Sequence, residues 1–330
     1  MSTDIPTVDL QEWRHADLDR LDEIAWAVDL ALRETGMFLL TGHDVPRSSG
    51  EDLRDAGLSF FRLPRETKLR YEIQGQYDNG WREVHRNVGI PDAAANDDDS
   101  APDLHESFYA GPTHRTGDAR ADGLFYPANR WPAELPRLRA AADAYTAHMV
   151  RVAEQVNSLL ADVLELPRDF FNSLSRKATW TQNVSWYPSL ARLGQTGTGR
   201  MRNAPHTDLG TFTLLNRQPG KGGLEVWNEA EGWFPPVYAR DSDTLIVILG
   251  DLMELWTDGR WRALRHRVPA PRVDAGEEDE EQVSLVFFFE ADPQALIEPL
   301  PAPVGGGRGM APAVAGESIL GKLGVPLTPA

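Results

Sequence analysis

The chain contains no cysteine. That absence excludes a disulfide framework, a thiolate metal site and a cysteine nucleophile. It also lacks any run of about 18 apolar residues, so no membrane-spanning helix is expected. The opening residues MSTDIPTVDLQEW have neither the basic stretch nor the apolar stretch of a secretory signal, and a cytoplasmic location is expected. Positive charge is scarce as well. The 33 Lys and Arg residues against 50 Asp and Glu leave a net charge of −17, which argues against nucleic acid or an anionic membrane as partner. No internal repeat is present. The glycines of PAPVGGGRGMAPAVAG (Pro301–Gly316) are too irregular for a phosphate-binding loop, and this stretch reads as a mobile tail or a lid.

What is present suits a small-molecule enzyme. At 330 residues the chain can form one large domain or two smaller ones with a substantial core. Leu21, Ile24, Val28 and Leu32 recur at helical spacing, predicting a helix over Asp17–Thr35 that Gly36 ends. Leu138, Tyr145, Met149, Val152, Val156, Leu159 and Val163 predict a second helix over Leu135–Leu166. It is expected to buttress a sheet rather than form a coiled coil, and to stop at Pro167. The acidic stretches Pro91–Asp103 and Asp274–Glu281 read as solvated loops.

Chemistry concentrates in His206, Asp208 and His266, in NAPHTDLGTF and RALRHRVPA. Two imidazoles and one carboxylate form the ligand set of a non-haem Fe(II) facial triad, which leaves positions open for dioxygen and an organic ligand. In an extended strand, residues two apart point to one face, so His206 and Asp208 can reach one metal together. His266 must arrive from another strand. The apolar TFTLL after the first pair, the run leading into His266, and the β-branched and aromatic VSLVFFFEAD predict several short strands separated by turns. Such strands suggest a sandwich or jelly roll that carries ligands on its inner face.

With these motifs in order, the chain resembles the isopenicillin N synthase-like branch of the Fe(II)/2-oxoglutarate-dependent dioxygenases over nearly its whole length. IPTVDL, ALRETGMFLLTGHDVP, FFRLPRETKLRYE, DLHESFYAG, WYPSL, GGLEVW and GDLMELWTDGRWRALRHRV follow one another as in that family. The resemblance implies a mainly β fold with flanking α-helices, built on a double-stranded β-helix or jelly-roll core. It implies a single dioxygenase domain over 1–330: a family N-terminal region (1–115), helical support (116–170), the jelly roll with the metal site (171–300) and a C-terminal tail (301–330). His206, Asp208 and His266 become the iron ligands, with 2-oxoglutarate and dioxygen as co-substrates. His43 matches a family position that looks structural. His105, Asn79, Trp81, Arg82 and Thr213 fall in segments similar to substrate-facing ones.

One departure from the family bears on 2-oxoglutarate. The family's Arg-x-Ser on the last core strand is here Gln282-Val283-Ser284, so the serine remains and the charge is gone. A neutral amide cannot replace a bidentate guanidinium–carboxylate pair. Where the family carries glutamine after the metal aspartate, this chain has Arg217, and strand alternation aligns it with Thr211, Thr213 and Leu215. Arginine and glutamine thus look exchanged between neighbouring strands, with the guanidinium kept in the same pocket. After Arg217, Arg200, Arg202 and Arg265 are next in line as anchors by their closeness in sequence to the metal ligands. Tyr187 matches a family tyrosine that contacts the co-substrate, whereas Ser185 replaces an asparagine.

The implied activity is oxidation of a C–H bond of a small molecule, by hydroxylation, desaturation or oxidative cyclisation. Asp208 disfavours halogenation, since family halogenases lack that carboxylate. A tailoring step in antibiotic or other secondary-metabolite biosynthesis is the expected role, carried out by a monomer. Two alternatives stand beside it: a 2-oxoglutarate-independent iron oxidase resembling isopenicillin N synthase, and a non-catalytic binding protein on the same scaffold.

Overall fold

The computed structural model describes residues 5–75, 78–83, 103–115, 117–193, 201–218, 223–236, 243–271 and 281–324. The acidic segments 91–102 and 274–280, together with Arg200, lie outside them. In chain order the elements are β1 (Thr7–Asp9), α1 (Leu10–His15), α2 (Leu18–Glu34), β2 (Met37–Thr41), α3 (Arg47–Phe61), α4 (Arg65–Leu69), β3 (Gly80–Arg82) and β4 (Glu106–Ala110). Next come α5 (Ala119–Phe125), α6 (Pro136–Val163), α7 (Phe170–Ser173), β5 (Trp180–Tyr187), β6 (Met201–His206), β7 (Phe212–Arg217), β8 (Glu225–Asn228) and β9 (Gly232–Phe234). The last are β10 (Leu245–Leu249), α8 (Asp251–Trp256), β11 (His266–Pro269), β12 (Gln282–Phe289), β13 (Leu296–Ile297), β14 (Ala313–Val314) and α9 (Ala315–Lys322).

Two sheets form the centre. The large one runs β1-β2-β10-β7-β12-β5-β4-β3 and the small one β6-β11-β8-β9. Apart from the parallel β1–β2 pair, the pairs in both sheets are antiparallel. Alternation divides each strand of the large sheet between two environments. On β12, Val283, Leu285, Phe287 and Phe289 enter the core shared with the helices, while Gln282, Ser284, Val286 and Phe288 line a cavity between the sheets. On β10, Leu245, Val247 and Leu249 face the helices, while Ile246 and Ile248 pack with Leu224 and Val226 of the small sheet's side. Each such fully buried aliphatic or aromatic side chain contributes roughly 1.5–3 kcal/mol. The result is the expected jelly roll with helices on one outer face.

The predicted helices form, with informative ends. Asp17 caps α2 by accepting from the Arg20 N–H at 3.0 Å, and Gly36 leaves the helix at φ 77°. The second helix, α6, ends at Val163, short of Pro167. Glu165 adopts φ 55°, and Leu166 N–H returns to the Ala161 carbonyl at 2.9 Å, so a left-handed turn stops the helix before the proline arrives. Helix α6 packs against α2, α3 and α7 as well as β12, so its buttressing reaches the sheet largely through other helices.

The stretch Pro301–Gly316 is not a loose tail. Asp258, itself at φ 50°, accepts from Gly309 N–H at 3.1 Å and Met310 N–H at 2.8 Å, and Arg308 pairs with Glu254 at 2.9 Å. A Cβ on Gly306 would lie 2.6 Å from the Asp258 carbonyl oxygen, so only glycine permits this approach. The chain then continues into α9, whose Ile319 reaches the cavity, as does Leu323 just beyond. Among the described residues, no helix is long and apolar enough to cross a membrane.

Candidate active site

The cavity between the sheets holds the candidate metal ligands. His206 closes β6, His266 opens β11, and the two residues are register partners in the small sheet. Asp208 lies beyond the end of β6, in the turn that leads to β7, so the reach of the pair comes from a strand end and a turn rather than one continuous strand. A nitrogen of each imidazole and an oxygen of the carboxylate all lie within 4.8 Å of one another. The Asp208 Oδ1 oxygen is 3.6 Å from His206 Nε2 and 3.9 Å from His266 Nε2.

Hydrogen bonds set the chemistry of this cluster. His206 Nδ1 lies 2.8 Å from the Ala204 carbonyl, and His266 Nδ1 lies 3.0 Å from the Leu264 carbonyl. A carbonyl only accepts, so each Nδ1 carries a proton and each ring turns its Nε2 toward Asp208. Burial, followed by the neighbouring His206, pushes the His266 pKa down to about 4, which keeps its ring neutral near pH 7. Two imidazole Nε2 atoms facing a buried carboxylate form a donor set suited to a divalent cation. Thr213 steadies the carboxylate, donating its hydroxyl to Asp208 Oδ2 at 2.5 Å. Asp251 N–H donates to the Asp208 carbonyl at 2.8 Å. This contact needs Gly250, where a Cβ would lie 2.4 Å from Gly210 O and 2.9 Å from Asp208 O.

A second polar group lies on adjoining strands of the large sheet. Ser284 pairs with Arg217 on β7 and with Ser185 on β5, and Gln282 pairs with Tyr187. All five residues line the cavity. Burial pushes the Tyr187 hydroxyl up to about 12, so it stays a neutral donor. Among the described cavity-lining residues, the guanidinium groups are those of Arg82 and Arg217. Arg202 instead lies 5.8 Å from the Tyr187 ring centre, and Arg265 lies against Trp227 and Trp233 at 5.5 and 5.2 Å.

The residues expected to face substrate divide. Asn79, Arg82, His105 and Thr213 line the cavity, although the Thr213 hydroxyl is committed to Asp208. His105 Nδ1 lies 2.7 Å from the Arg202 carbonyl, and burial lowers its pKa. Trp81 corrects its expectation. It is fully buried, its indole N–H donates to Glu106 Oε2 at 2.8 Å, and the Lys68 ammonium lies 4.9 Å from the ring centre. Alternation on the short strand β3 turns Trp81 into the helix-side core while Arg82 lines the cavity. His43 is structural: Val45 N–H donates to Nδ1 at 3.2 Å and Nε2 meets the Asp243 carbonyl at 2.6 Å.

The cavity wall also contains residues that sequence reasoning missed: Thr181, Asn183, Asn203, Glu290, Ile319 and Leu323. Counting back from Tyr187 by twos reaches Ser185, Asn183 and Thr181, so the alternation applied to β7 was sufficient to find them on β5. Asn183 is notable because its Oδ1 is buried without a hydrogen-bond partner among the described residues, while Nδ2 donates to Ser185 Oγ at 2.9 Å.

Comparison with known proteins agrees with this geometry. Residues 5–134 match the family described as the non-haem dioxygenase in morphine synthesis N-terminal region, and residues 187–291 match the 2OG-Fe(II) oxygenase superfamily. A validamycin A dioxygenase of Streptomyces hygroscopicus subsp. limoneus is 55% identical over 324 residues, spanning 98% of this chain and 86% of that protein. A proline hydroxylase of Petromyces alliaceus is 31% identical over 277 residues, with 82% of each chain covered. In fold, the chain is similar to full-length Neurospora crassa T7H in complex with alpha-KG, at a TM-score of 0.81 and 21% identity, covering 97% of this chain and 96% of that one.

Proposed function

The chain belongs to the 2OG-Fe(II) oxygenase superfamily, and from that premise we propose that His206, Asp208 and His266 hold its iron, that Arg217 anchors its 2-oxoglutarate, and that its substrate is validamycin A or a close congener. It is an Fe(II)- and 2-oxoglutarate-dependent dioxygenase of the kind found in secondary-metabolite biosynthesis, so the oxidase and non-catalytic alternatives fall away. The observation that carries the site assignment is the convergence, on one cavity, of the three metal-suited donors and the Arg217–Ser284 pair. The substrate assignment rests on the 55% identity to the validamycin A dioxygenase.

When bound together, iron, 2-oxoglutarate and dioxygen supply the oxidation of a C–H bond. The protein's own residues do the rest. His206 and His266 present Nε2 lone pairs whose direction is fixed through Nδ1, and Thr213 holds the Asp208 carboxylate in place. Arg217 supplies charge, and the Ser284 and Tyr187 hydroxyls supply further donors, at the end of the cavity formed by the start of β12 and the ends of β5 and β7. Leu215, Val268, Ile319 and Leu323 add apolar wall that excludes water.

The rest of the lining suits a polar substrate. Asn79, Asn183, Asn203 and Glu290 offer acceptors, and Asn183 Oδ1, without a partner among the described residues, has a hydrogen bond to gain from a substrate hydroxyl or amine. The same reading takes the chain as a single dioxygenase domain, supported by β1 to β4, which complete the large sheet around β10, β7, β12 and β5. The test is incubation of iron-loaded protein with 2-oxoglutarate, dioxygen and validamycin A, followed by mass analysis. A gain of one oxygen or a loss of two hydrogens in validamycin A is expected. An unchanged compound, alongside active 2-oxoglutarate turnover on another acceptor, would refute the substrate assignment.

A further inference from the structure

We propose that Arg54, outside the cavity, is a positioning residue for 2-oxoglutarate, acting through the β7–β12 strand pair that carries Arg217 and Ser284. The proposal rests on Arg217 being the anchor. Arg54 projects from α3 and is only 9% exposed. Its Nη2 donates to the Asn216 carbonyl at 3.3 Å and also to Asn216 Oδ1, and its Nε donates to the Val283 carbonyl at 3.4 Å. Asn216 immediately precedes Arg217, and Val283 stands between Gln282 and Ser284. In the register, Leu285 faces Asn216 and Ser284 faces Arg217. One guanidinium therefore ties together, from the helix side, the two strands whose cavity sides carry the anchor and its serine neighbour.

The place of this clamp matters. Strand β7 ends at Arg217 and β12 begins at Gln282, so the anchor sits where both strands terminate and the ladder offers least restraint. Gln218 adds a second tie there, its Oε1 accepting from Val283 N–H at 2.9 Å. The turn of α3 at Gly50 lies against the clamp, where a Cβ would stand 3.4 Å from Arg54 Nη1 and 3.7 Å from Asn216 Oδ1, ordinary contact distances. Packing alone does not account for a guanidinium in this position. An apolar side chain of similar length fills such a volume without burying a charge. The bonds to the two strand ends are what an arginine adds, and a bidentate planar donor suits bridging two chains.

The experiment is an anaerobic calorimetric titration of 2-oxoglutarate into Fe(II)-loaded protein, with iron content measured in parallel. The variants are Arg54→Met, Arg54→Lys, Arg217→Gln and the double Arg54→Met/Arg217→Gln. Arg54→Met is expected to weaken 2-oxoglutarate binding about tenfold, equivalent to about 1.4 kcal/mol, with iron content unchanged and partial recovery in Arg54→Lys. Because Arg54 acts through Arg217, the double variant should bind no more weakly than Arg217→Gln alone. Wild-type affinity in Arg54→Met beside a weakened Arg217→Gln overturns this proposal alone. So does an equal additional loss in the double variant. Wild-type affinity in Arg217→Gln removes the anchor reading and this proposal with it. If Arg54→Met does not fold, Asn216→Ala removes the side-chain acceptor of the same clamp; weakened binding there supports the proposal and wild-type affinity overturns it.

Discussion

Replacing Arg217 by glutamine removes the positive charge that stands across from Ser284 while keeping a side chain of hydrogen-bonding character. Arg217 is partly buried and lines the cavity, so its pairing with a carboxylate is shielded from bulk solvent on one side. Hydrogen bonds to charged groups contribute about 1.5–3 kcal/mol, or roughly ten- to a hundredfold in affinity. An anaerobic titration of 2-oxoglutarate into iron-loaded protein should show that loss, with iron binding intact because the triad lies on other elements. The geometry also specifies a rescue. Gln282 is two residues from Ser284 on β12, making it a diagonal cross-strand neighbour of Arg217, and such diagonal pairs lie about 7–8 Å apart. Arg217→Gln/Gln282→Arg should therefore regain part of the affinity from the adjacent strand. A single Arg217→Gln variant with normal 2-oxoglutarate affinity would refute the reasoning.

Further outcomes follow from other contacts. Thr213→Val removes the hydroxyl bonded to Asp208 and should lower iron affinity about 10- to 100-fold, read by competition with a chelator; unchanged affinity would show that the bond does not orient the carboxylate. Asn183→Leu should raise KM for a polar substrate while leaving 2-oxoglutarate affinity alone; an unchanged KM would mean substrate does not reach that amide. Lys68→Met leaves Glu106 buried without its cation, a change that typically costs about 3–5 kcal/mol, and denaturant unfolding should report it; a loss below 1 kcal/mol would contradict the burial of this pair. The metal-free protein should lose stability as pH falls from about 6.5, the ordinary histidine value, toward about 4, the lowered value for His266. In that window the unfolded chain binds the proton that folded His266 refuses, so stability rises with pH. A flat unfolding free energy between those pH values, measured on the metal-free protein, would exclude a neutral buried His266.

Much of this site is legible in the sequence. The triad stood out because metal coordination demands particular donors, and Arg217 because it stands where the resembled family carries glutamine, with alternation aligning it with Thr213 and Leu215, which also line the cavity. The reading failed where long-range contacts decide. Trp81 lies on a three-residue strand, too short for periodicity to phase, and its place follows from Lys68 and Glu106. The end of α6 follows from the left-handed Glu165, a conformation that a side-chain pattern does not reveal. The anchoring of 301–316 depends on Asp258, and its delivery of Ile319 and Leu323 to the cavity depends on that docking. The polar cavity wall was recoverable on β5 but not at Glu290, whose place depends on where β12 ends and on contacts beyond it.

The central claim is that this cavity couples oxidation of a small molecule to 2-oxoglutarate turnover at the His206–Asp208–His266 site. The most direct measurement is the stoichiometry of succinate and oxidised validamycin A, made by iron-loaded protein with dioxygen in the presence and absence of 2-oxoglutarate. The account predicts that succinate and product appear in step, that neither forms without 2-oxoglutarate, and that Asp208→Ala abolishes both while remaining folded. Product formed at full rate in buffer rigorously free of 2-oxoglutarate, or full activity in Asp208→Ala, would contradict it.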